Sequence, residues 1–339
     1  RNRQGHIYTN PANDMPNPIL AIHGGAGGDG PWEGMSSFDP ARIRCMETVL
    51  ANVGRHLLDG MDALDAVTIA VEMLEDDPLF NAGRGSVLDA GGNISMDASI
   101  MRGADQAAGA VVGVRRVRHP IRVAYHLLKS GWPVMLNNDA AERFGIENGA
   151  EQVEPDWLRT DLRQAQWQKW NDARADVGAT DEDDAVLDHD LDGRVATEFS
   201  DETEGVGTVG AVALDRHGDL ATATSTGGMT GKPDGRIGDT PIIGAGSWAD
   251  CRIAISCTGV GEAYIRTSAA HELAVRMRDK DAVLKSEADA VLDMVAPLGG
   301  RGGLIAVTAE GEVHLPFQTT VMYRGVWQSD HSWTGIGPV

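Results

Sequence analysis

The sequence predicts an α/β fold in which sheets pack face to face and helices lie outside them. Three observations predict it. Short apolar runs recur in both halves of the 339-residue chain, each closed by a glycine-bearing turn, as at Ile19-Leu20-Ala21-Ile22-His23 before Gly24–Gly28. Helical stretches accompany these runs, but without the regular strand–helix alternation of a doubly wound parallel sheet. The chain also holds 42 glycines, well above the usual ~7%, which points to many tight turns and close backbone approaches.

The elements follow in order. Residues 1–17 are polar, rich in Asn and Pro, and read as a loose N-terminal arm. After the strand at Ile19–His23, Asp39-Pro40 supplies a cap and a first-turn proline for a helix that Gly60 stops. Asp62 opens a second helix with Leu64, Val67, Val71 and Leu74 on one face, ended by Pro78. Ser86–Leu88 and Ile94–Met101 flank Ala90-Gly91-Gly92-Asn93 as a hairpin. Ala110–Val114 is a strand, and Val123–Lys129 a helix stopped at Gly131. In the second half, Val209–Leu214 and Leu220–Thr226 are strands joined at Arg216–Asp219. Ile253–Cys257 is a strand, a long helix starts at Glu262, and Leu304–Val307 with Val313–Phe317 makes a last hairpin around Glu310-Gly311.

Between the halves the composition changes. Residues 151–207 hold 17 acidic and 5 basic side chains and so carry −12 of the chain's −21; the remaining 33 acidic and 24 basic groups leave only −9. This tract reads as a solvated linker, with Trp157, Trp167 and Trp170 compatible with a short helix in its first third. The acid excess argues against nucleic acid or an anionic membrane as partner. No run approaches the roughly 20 apolar residues that span a bilayer. Cys45, Cys251 and Cys257 form neither a metal spacing nor an even disulfide set. A reducing, cytoplasmic compartment is the simpler expectation, with a secreted or periplasmic one left open because the chain begins at Arg1.

Thr208 opens the apolar strand directly after the acidic tract. A threonine there is by itself an ordinary β-former. If the Gly207–Thr208 bond is cut, however, Thr208 gains a free α-amine, of pKa about 8, beside its own hydroxyl. One residue then supplies both nucleophile and base.

Gly207-Thr208-Val209-Gly210-Ala211-Val212-Ala213-Leu214-Asp215 resembles the cleavage site of plant-type L-asparaginases, the isoaspartyl aminopeptidase branch of the N-terminal nucleophile hydrolases. Ile22–Gly27, Pro78–Gly83, Met96-Asp97-Ala98, Thr224–Met229, Gly235–Asp239, Cys257–Glu262 and Gly299–Gly303 match further family segments in the same order. The resemblance implies a precursor that cuts itself at Gly207–Thr208. An α subunit (18–207, with the acidic linker at about 151–207) and a β subunit (208–339) then form a four-layer αββα sandwich, and the αβ units pair as a dimer. The implied activity is hydrolysis of L-asparagine and β-aspartyl (isoaspartyl) dipeptides, with small molecules as partners and no organic cofactor.

The resemblance also assigns residues. Thr208 is the nucleophile, the Thr226 hydroxyl bonds to it, and Asn81 lies near it. Thr226 shares a strand face with Thr224 and Thr222. Thr258 and Gly259 form the oxyanion hole, at a strand-to-helix junction whose N–H groups favour negative charge. Arg236 suits the substrate α-carboxylate and Asp239 its α-ammonium, with the Gly261 carbonyl assisting; Arg236 and Asp239 could equally pair with each other. Backbone carbonyls of Leu74, Glu75, Asp77, Phe80, Ala82 and Arg84 correspond to a sodium-holding loop, although Arg84 stands where an aliphatic residue is common.

Other readings compete. A glycosylasparaginase would usually begin its site His-Asp-Thr, where this chain has Val206-Gly207-Thr208. A Taspase-like threonine endopeptidase shares the nucleophile. Outside enzymes, the acidic segment suggests a calcium- or partner-binding scaffold. Asp188–Val195 copies the start of an EF-hand loop, but its twelfth position is Phe199 in place of the closing Glu.

Overall fold

The computed structural model describes residues 16–27, 39–177, 207–329 and 331–337. In chain order the elements are β1 (Ile19–Gly27), α1 (Pro40–Leu58), α2 (Ala63–Asp76), β2 (Met96–Arg102), β3 (Ala108–Val114), α3 (Pro120–Ser130), β4 (Met135–Asn137), α4 (Asn138–Glu147), α5 (Pro155–Leu158) and α6 (Asp161–Val177). They continue with β5 (Val209–Leu214), β6 (Leu220–Thr226), β7 (Ser247–Ala249), β8 (Ile253–Gly259), α7 (Gly261–Thr267), α8 (Ala269–Arg276), α9 (Leu284–Val295), β9 (Gly302–Thr308), β10 (Val313–His314), β11 (Val321–Gln328) and β12 (His331–Gly335). Eight strands form one sheet in the order β12-β11-β1-β5-β6-β2-β3-β4, and four form a second, β10-β9-β8-β7. Apart from the parallel β3–β4 pair, neighbouring strands run antiparallel. This mixed α/β architecture is the predicted class.

The period of two along each strand decides what faces what. Leu20 and Ile22 of β1, Val209, Ala211 and Ala213 of β5, and Ala221 and Ala223 of β6 cluster with Met46, Leu50, Val67 and Val71 of α1 and α2. The alternate positions Ile19, Ala21, Val212, Leu214 and Leu220 cluster with Ala249, Ala254, Ile305 and Val307 of the smaller sheet. The other face of the smaller sheet, Ile253, Ile255, Cys257, Leu304 and Ala306, packs on Tyr264, Leu273, Leu284 and Val291 from α7, α8 and α9. The same alternation therefore directs His23, Thr208, Gly210, Thr222, Thr224, Thr226, Ser256 and Thr258 into the gap between the sheets.

The helix starts fall where the caps predict. The Asp39 carboxylate accepts from Arg42 N at 3.2 Å with Pro40 opening α1, and Asp62 accepts from Asp65 N at 2.7 Å ahead of α2. The reading of residues 151–207 as a solvated linker is corrected in its first third, where the helix that the tryptophans allowed is present as α5 and the longer α6, both docked. Arg163 of α6, 2% exposed, donates to Gly85 O at 2.6 Å and Leu79 O at 3.4 Å. Trp167 Nε1 donates to Asp89 O at 2.8 Å, and Arg159 to Gly92 O at 2.9 Å. Long donor side chains thus satisfy the carbonyls of the loop 79–92 that the helix covers. The EF-hand-like Asp188–Val195 lies outside the described residues.

Two other expectations change. The long helix from Glu262 is two helices, because Ser268 adopts φ 49° and the amides of Ala270 and His271 donate to Ala245 O and Gly244 O in a neighbouring loop. The hairpins are shorter than predicted: Leu88 and Ile94 form one isolated bridge, and β10 covers only Val313–His314, with Phe317 bridged singly to Gly303. Among the described residues, no helix is long and apolar enough to cross a membrane.

Candidate active site

Thr208 stands at the entrance to β5, 6% exposed, and its hydroxyl donates to Thr226 Oγ1 at 3.2 Å. Thr226 ends β6, and its Oγ1 also accepts from Gly228 N at 2.9 Å. Asn81 acts one step further out. Its Nδ2 donates to Gly228 O at 2.7 Å, its Oδ1 accepts from Val87 N at 3.0 Å, and its carbonyl accepts from Gly227 N at 3.0 Å. Asn81 therefore fixes the Gly227-Gly228 turn that aims Thr226, and reaches Thr208 through that turn.

The Thr258 hydroxyl is fully buried at the end of β8 and accepts from Ala26 N at 3.3 Å. A Cβ placed on Gly207 would come within 3.8 Å of this oxygen, so Thr258 lies beside the Gly207–Thr208 bond. The glycine-rich end of β1 passes the same bond. Gly25 has φ 109°, and a Cβ there would sit 2.5 Å from Gly207 O, so the crowding at this turn demands glycine. Gly259 follows Thr258 and leads through Val260 into α7.

Arg236 and Asp239 lie on the loop between β6 and β7 but do not pair as their spacing allowed. Arg236 Nε and Nη2 fork onto Glu262 Oε1 and Oε2 at 2.8 and 2.7 Å. That contact occupies one edge of the guanidinium and leaves Nη1 outside it. Asp239 is 3% exposed and its Oδ2 has no hydrogen-bond partner. Burial pushes its carboxyl up to about 7, against the opposing pull of the Arg236 charge. Gly261 packs against it: a Cβ there would lie 2.8 Å from Asp239 N and 3.0 Å from Asp239 Oδ1. A cation next to an acceptor-rich carboxylate with a spare oxygen suits a zwitterionic amino-acid head.

Sequence reasoning missed several groups near this cluster. The Glu262 partner of Arg236 is one; it stands within the quoted Cys257–Glu262 segment, but no spacing rule links positions so far apart. Lys232 is another: it is buried at 5% exposure, donates to Ser95 O at 2.7 Å, and faces the buried Asp97. A third is a hydrogen-bonded trio, His23, Ser256 and Thr224, which only the sheet register assembles. Among the described residues no cluster of His, Cys, Asp and Glu side chains is arranged to hold a metal ion.

A family profile described as asparaginase matches residues 16–336. The chain belongs to the asparaginase family. Within this family it is 40% identical over 325 residues to an isoaspartyl peptidase of Salmonella typhimurium, covering 95% of this chain and 99% of the relative. It is 40% identical over 326 residues to an Escherichia coli isoaspartyl peptidase, covering 95% and 97%. An isoaspartyl peptidase/L-asparaginase of Bos taurus is 38% identical over 309 residues, covering 90% and 92%. The family match spans every residue of the cluster above, and the identity runs through both halves of the chain.

Proposed function

We propose that this asparaginase-family chain is a self-processing amidohydrolase that acts on L-asparagine and β-aspartyl dipeptides through Thr208. The observation that carries the reading is the Thr208 hydroxyl on Thr226 Oγ1, in a buried gap, with the Thr258 hydroxyl beside the Gly207–Thr208 bond. The relatives' names, isoaspartyl peptidase and isoaspartyl peptidase/L-asparaginase, supply the substrate class.

In processing, Thr208 Oγ attacks the Gly207 carbonyl carbon, the C–N bond breaks, and the acyl group moves from nitrogen to oxygen. That break frees the Thr208 amine, which takes up the hydroxyl proton, and water then hydrolyses the ester to leave the Gly207 carboxylate and a free Thr208 hydroxyl. In turnover, the amine takes the hydroxyl proton as Oγ attacks the side-chain amide or isopeptide carbonyl. The Thr258–Gly259 segment stabilises the oxyanion. The leaving ammonia or amino acid takes a proton and departs, and water hydrolyses the β-aspartyl ester to aspartate. Arg236 through Nη1 and Asp239 through Oδ2, with the Gly261 carbonyl, hold the α-carboxylate and α-ammonium.

Cleavage divides the chain into an α subunit, 18–207, and a β subunit, 208–339. The two sheets with helical clusters on their outer faces support a four-layer αββα sandwich. A dimer of αβ units and a reducing compartment, consistent with three free cysteines, complete the reading. A structural sodium ion belongs to it too, on the carbonyls of Leu74, Glu75, Asp77, Phe80, Ala82 and Arg84. In support, the loop is tightly folded: Gly85 has φ 126°, and a Cβ there would lie 2.5 Å from Phe80 O and 2.6 Å from Pro78 O. Backbone carbonyl oxygens are hard donors of the kind such a cation takes.

Intact-mass analysis tests the proposal. The purified protein should resolve into two chains divided at Gly207–Thr208, and Thr208→Ala should stay whole and inactive. A single uncut species with amidase activity would overturn it. Parallel assays with asparagine, β-aspartyl dipeptides and glycoasparagine separate this reading from a glycosylasparaginase.

A further inference from the structure

At its active-site end the gap between the sheets holds three hydrogen-bonded polar side chains outside the proposed chemistry. His23, Thr224 and Ser256 are all 0% exposed and come from β1, β6 and β8. His23 Nε2 lies 2.8 Å from Ser256 Oγ, and Ser256 Oγ lies 2.8 Å from Thr224 Oγ1. One hydroxyl thus links an imidazole on the larger sheet to a second strand of that sheet, by way of the smaller one. Burying such groups costs free energy that apolar residues would not incur. One step along the same faces stand Ala21 on β1, Ala254 on β8 and, on β6, Thr222, whose hydroxyl turns to Ile255 O at 2.8 Å and stays out of the trio.

Two observations tie the trio to Thr208. His23 is registered opposite Gly210, two residues beyond Thr208 on β5. A Cβ on Gly210 would sit 2.1 Å from Ser256 Oγ and 2.3 Å from His23 Nε2, so the nucleophile's own strand gives up a side chain to let the two meet. The Thr208 main chain is also a polar neighbour of the His23 ring. Burial otherwise drives that ring down to about 3 and keeps it uncharged, and Nδ1 has no hydrogen bond of ordinary geometry.

We propose that His23, Ser256 and Thr224 form a buried positioning chain that fixes the main chain of Thr208, and so aims its hydroxyl in both self-cleavage and turnover. The inference rests on Thr208 being the nucleophile. The chain makes no hydrogen bond to Arg236 or Asp239, so it acts on the rate of attack and leaves substrate capture alone. As a neutral hydrogen-bonded unit it orients without exchanging a proton with the substrate.

The test compares Ser256→Ala, Thr224→Val and Thr224→Ser with the unaltered protein. Cleavage is followed by intact mass, and kcat and KM are measured on a β-aspartyl dipeptide. Thr224→Val keeps the side-chain shape and removes only the hydroxyl; Thr224→Ser restores it. Ser256→Ala and Thr224→Val should slow both cleavage and kcat by about tenfold or more while KM stays within about twofold. Thr224→Ser should recover both rates. Unimpaired rates in Ser256→Ala and Thr224→Val, a loss confined to KM, or Thr224→Ser as slow as Thr224→Val would overturn the proposal. If Ser256→Ala does not fold, the Thr224 pair decides alone, with melting curves confirming that both are folded. Thr208→Ala, run alongside, separates the two readings: activity in that variant refutes the nucleophile, whereas fast Thr224→Val refutes the positioning chain.

Discussion

Asp239→Asn should stabilise the protein at high pH while abolishing turnover. The carboxyl is 3% exposed, and burial raises it from 3.8 to about 7. Because the folded value lies above the unfolded one, the folded state holds the proton more tightly. The carboxyl therefore adds no penalty below the unfolded pKa, and its cost to folding grows as pH rises from about 4 to 7. Above the folded pKa that cost levels off at about 4 kcal/mol, since each pKa unit corresponds to about 1.4 kcal/mol. At pH 5 roughly 1.5 kcal/mol of it is present, so the interval from pH 5 to 8 carries about 3 kcal/mol. Asparagine does not titrate. Its amide brings a donor that could go unpaired, at a cost of about 1–3 kcal/mol, but that cost is the same at both pH values. Urea unfolding of Asp239→Asn against Asp239, both in a Thr208→Ala background to keep a single chain, measures the difference. The stability of the Asn variant relative to Asp should rise by about 3 kcal/mol between pH 5 and pH 8. A flat difference across that range would refute the account of Asp239 as a carboxyl held protonated by burial.

Further outcomes follow from the same geometry. With Asp239 required as an anion for the substrate ammonium, kcat/KM of the free enzyme should fall about tenfold per pH unit below about 7, read from a pH–rate profile. Glu262→Gln loosens the fork that holds Arg236, so KM for asparagine should rise several-fold with kcat little changed in steady-state assays. Gly25→Ala places a methyl 2.5 Å from Gly207 O at a φ of 109°, and time-resolved intact mass should show self-cleavage slowed by at least about tenfold. Arg163→Met keeps the stem of the side chain but strands the carbonyl of Gly85, while Leu79 O keeps its bonds from Arg42; urea unfolding should show a loss of about 1–3 kcal/mol.

The legible parts of the fold are those where local chemistry and tertiary packing agree. Val209–Leu214 and Leu220–Thr226 come out residue for residue, because an unbroken apolar run meets a tight turn at Arg216–Asp219. Asp39 and Asp62 mark helix starts because a cap works through its own backbone. The docking of α6 is invisible to charge counting: Arg163 is buried against carbonyls, and Trp167 binds through its indole N–H to a loop some eighty residues earlier. β11 and β12 go unread because Arg324 interrupts the apolar pattern, yet its guanidinium is covered by the rings of Phe317 and Trp333. In the candidate site, strand parity suffices to place Thr226 on the face of Thr222 and Thr224. The Arg236–Glu262 fork and the His23–Ser256–Thr224 trio depend on which strands become neighbours, and nothing local in the sequence announces that.

The hydrogen bond between His23 and Ser256 joins residues 233 positions apart and closes only when the two sheets have come together. The bond to be cut sits in the same gap, against Gly25 on one side and Thr258 on the other. On the proposed reading, a chain whose sheets are apart, or packed out of register by one residue, presents an ordinary Gly–Thr peptide with nothing to attack it. The molecule therefore inspects its own assembly before it arms itself. Release of the catalytic amine is the certificate that the contacts between its two sheets have formed, so misfolded copies remain inert without any outside surveillance.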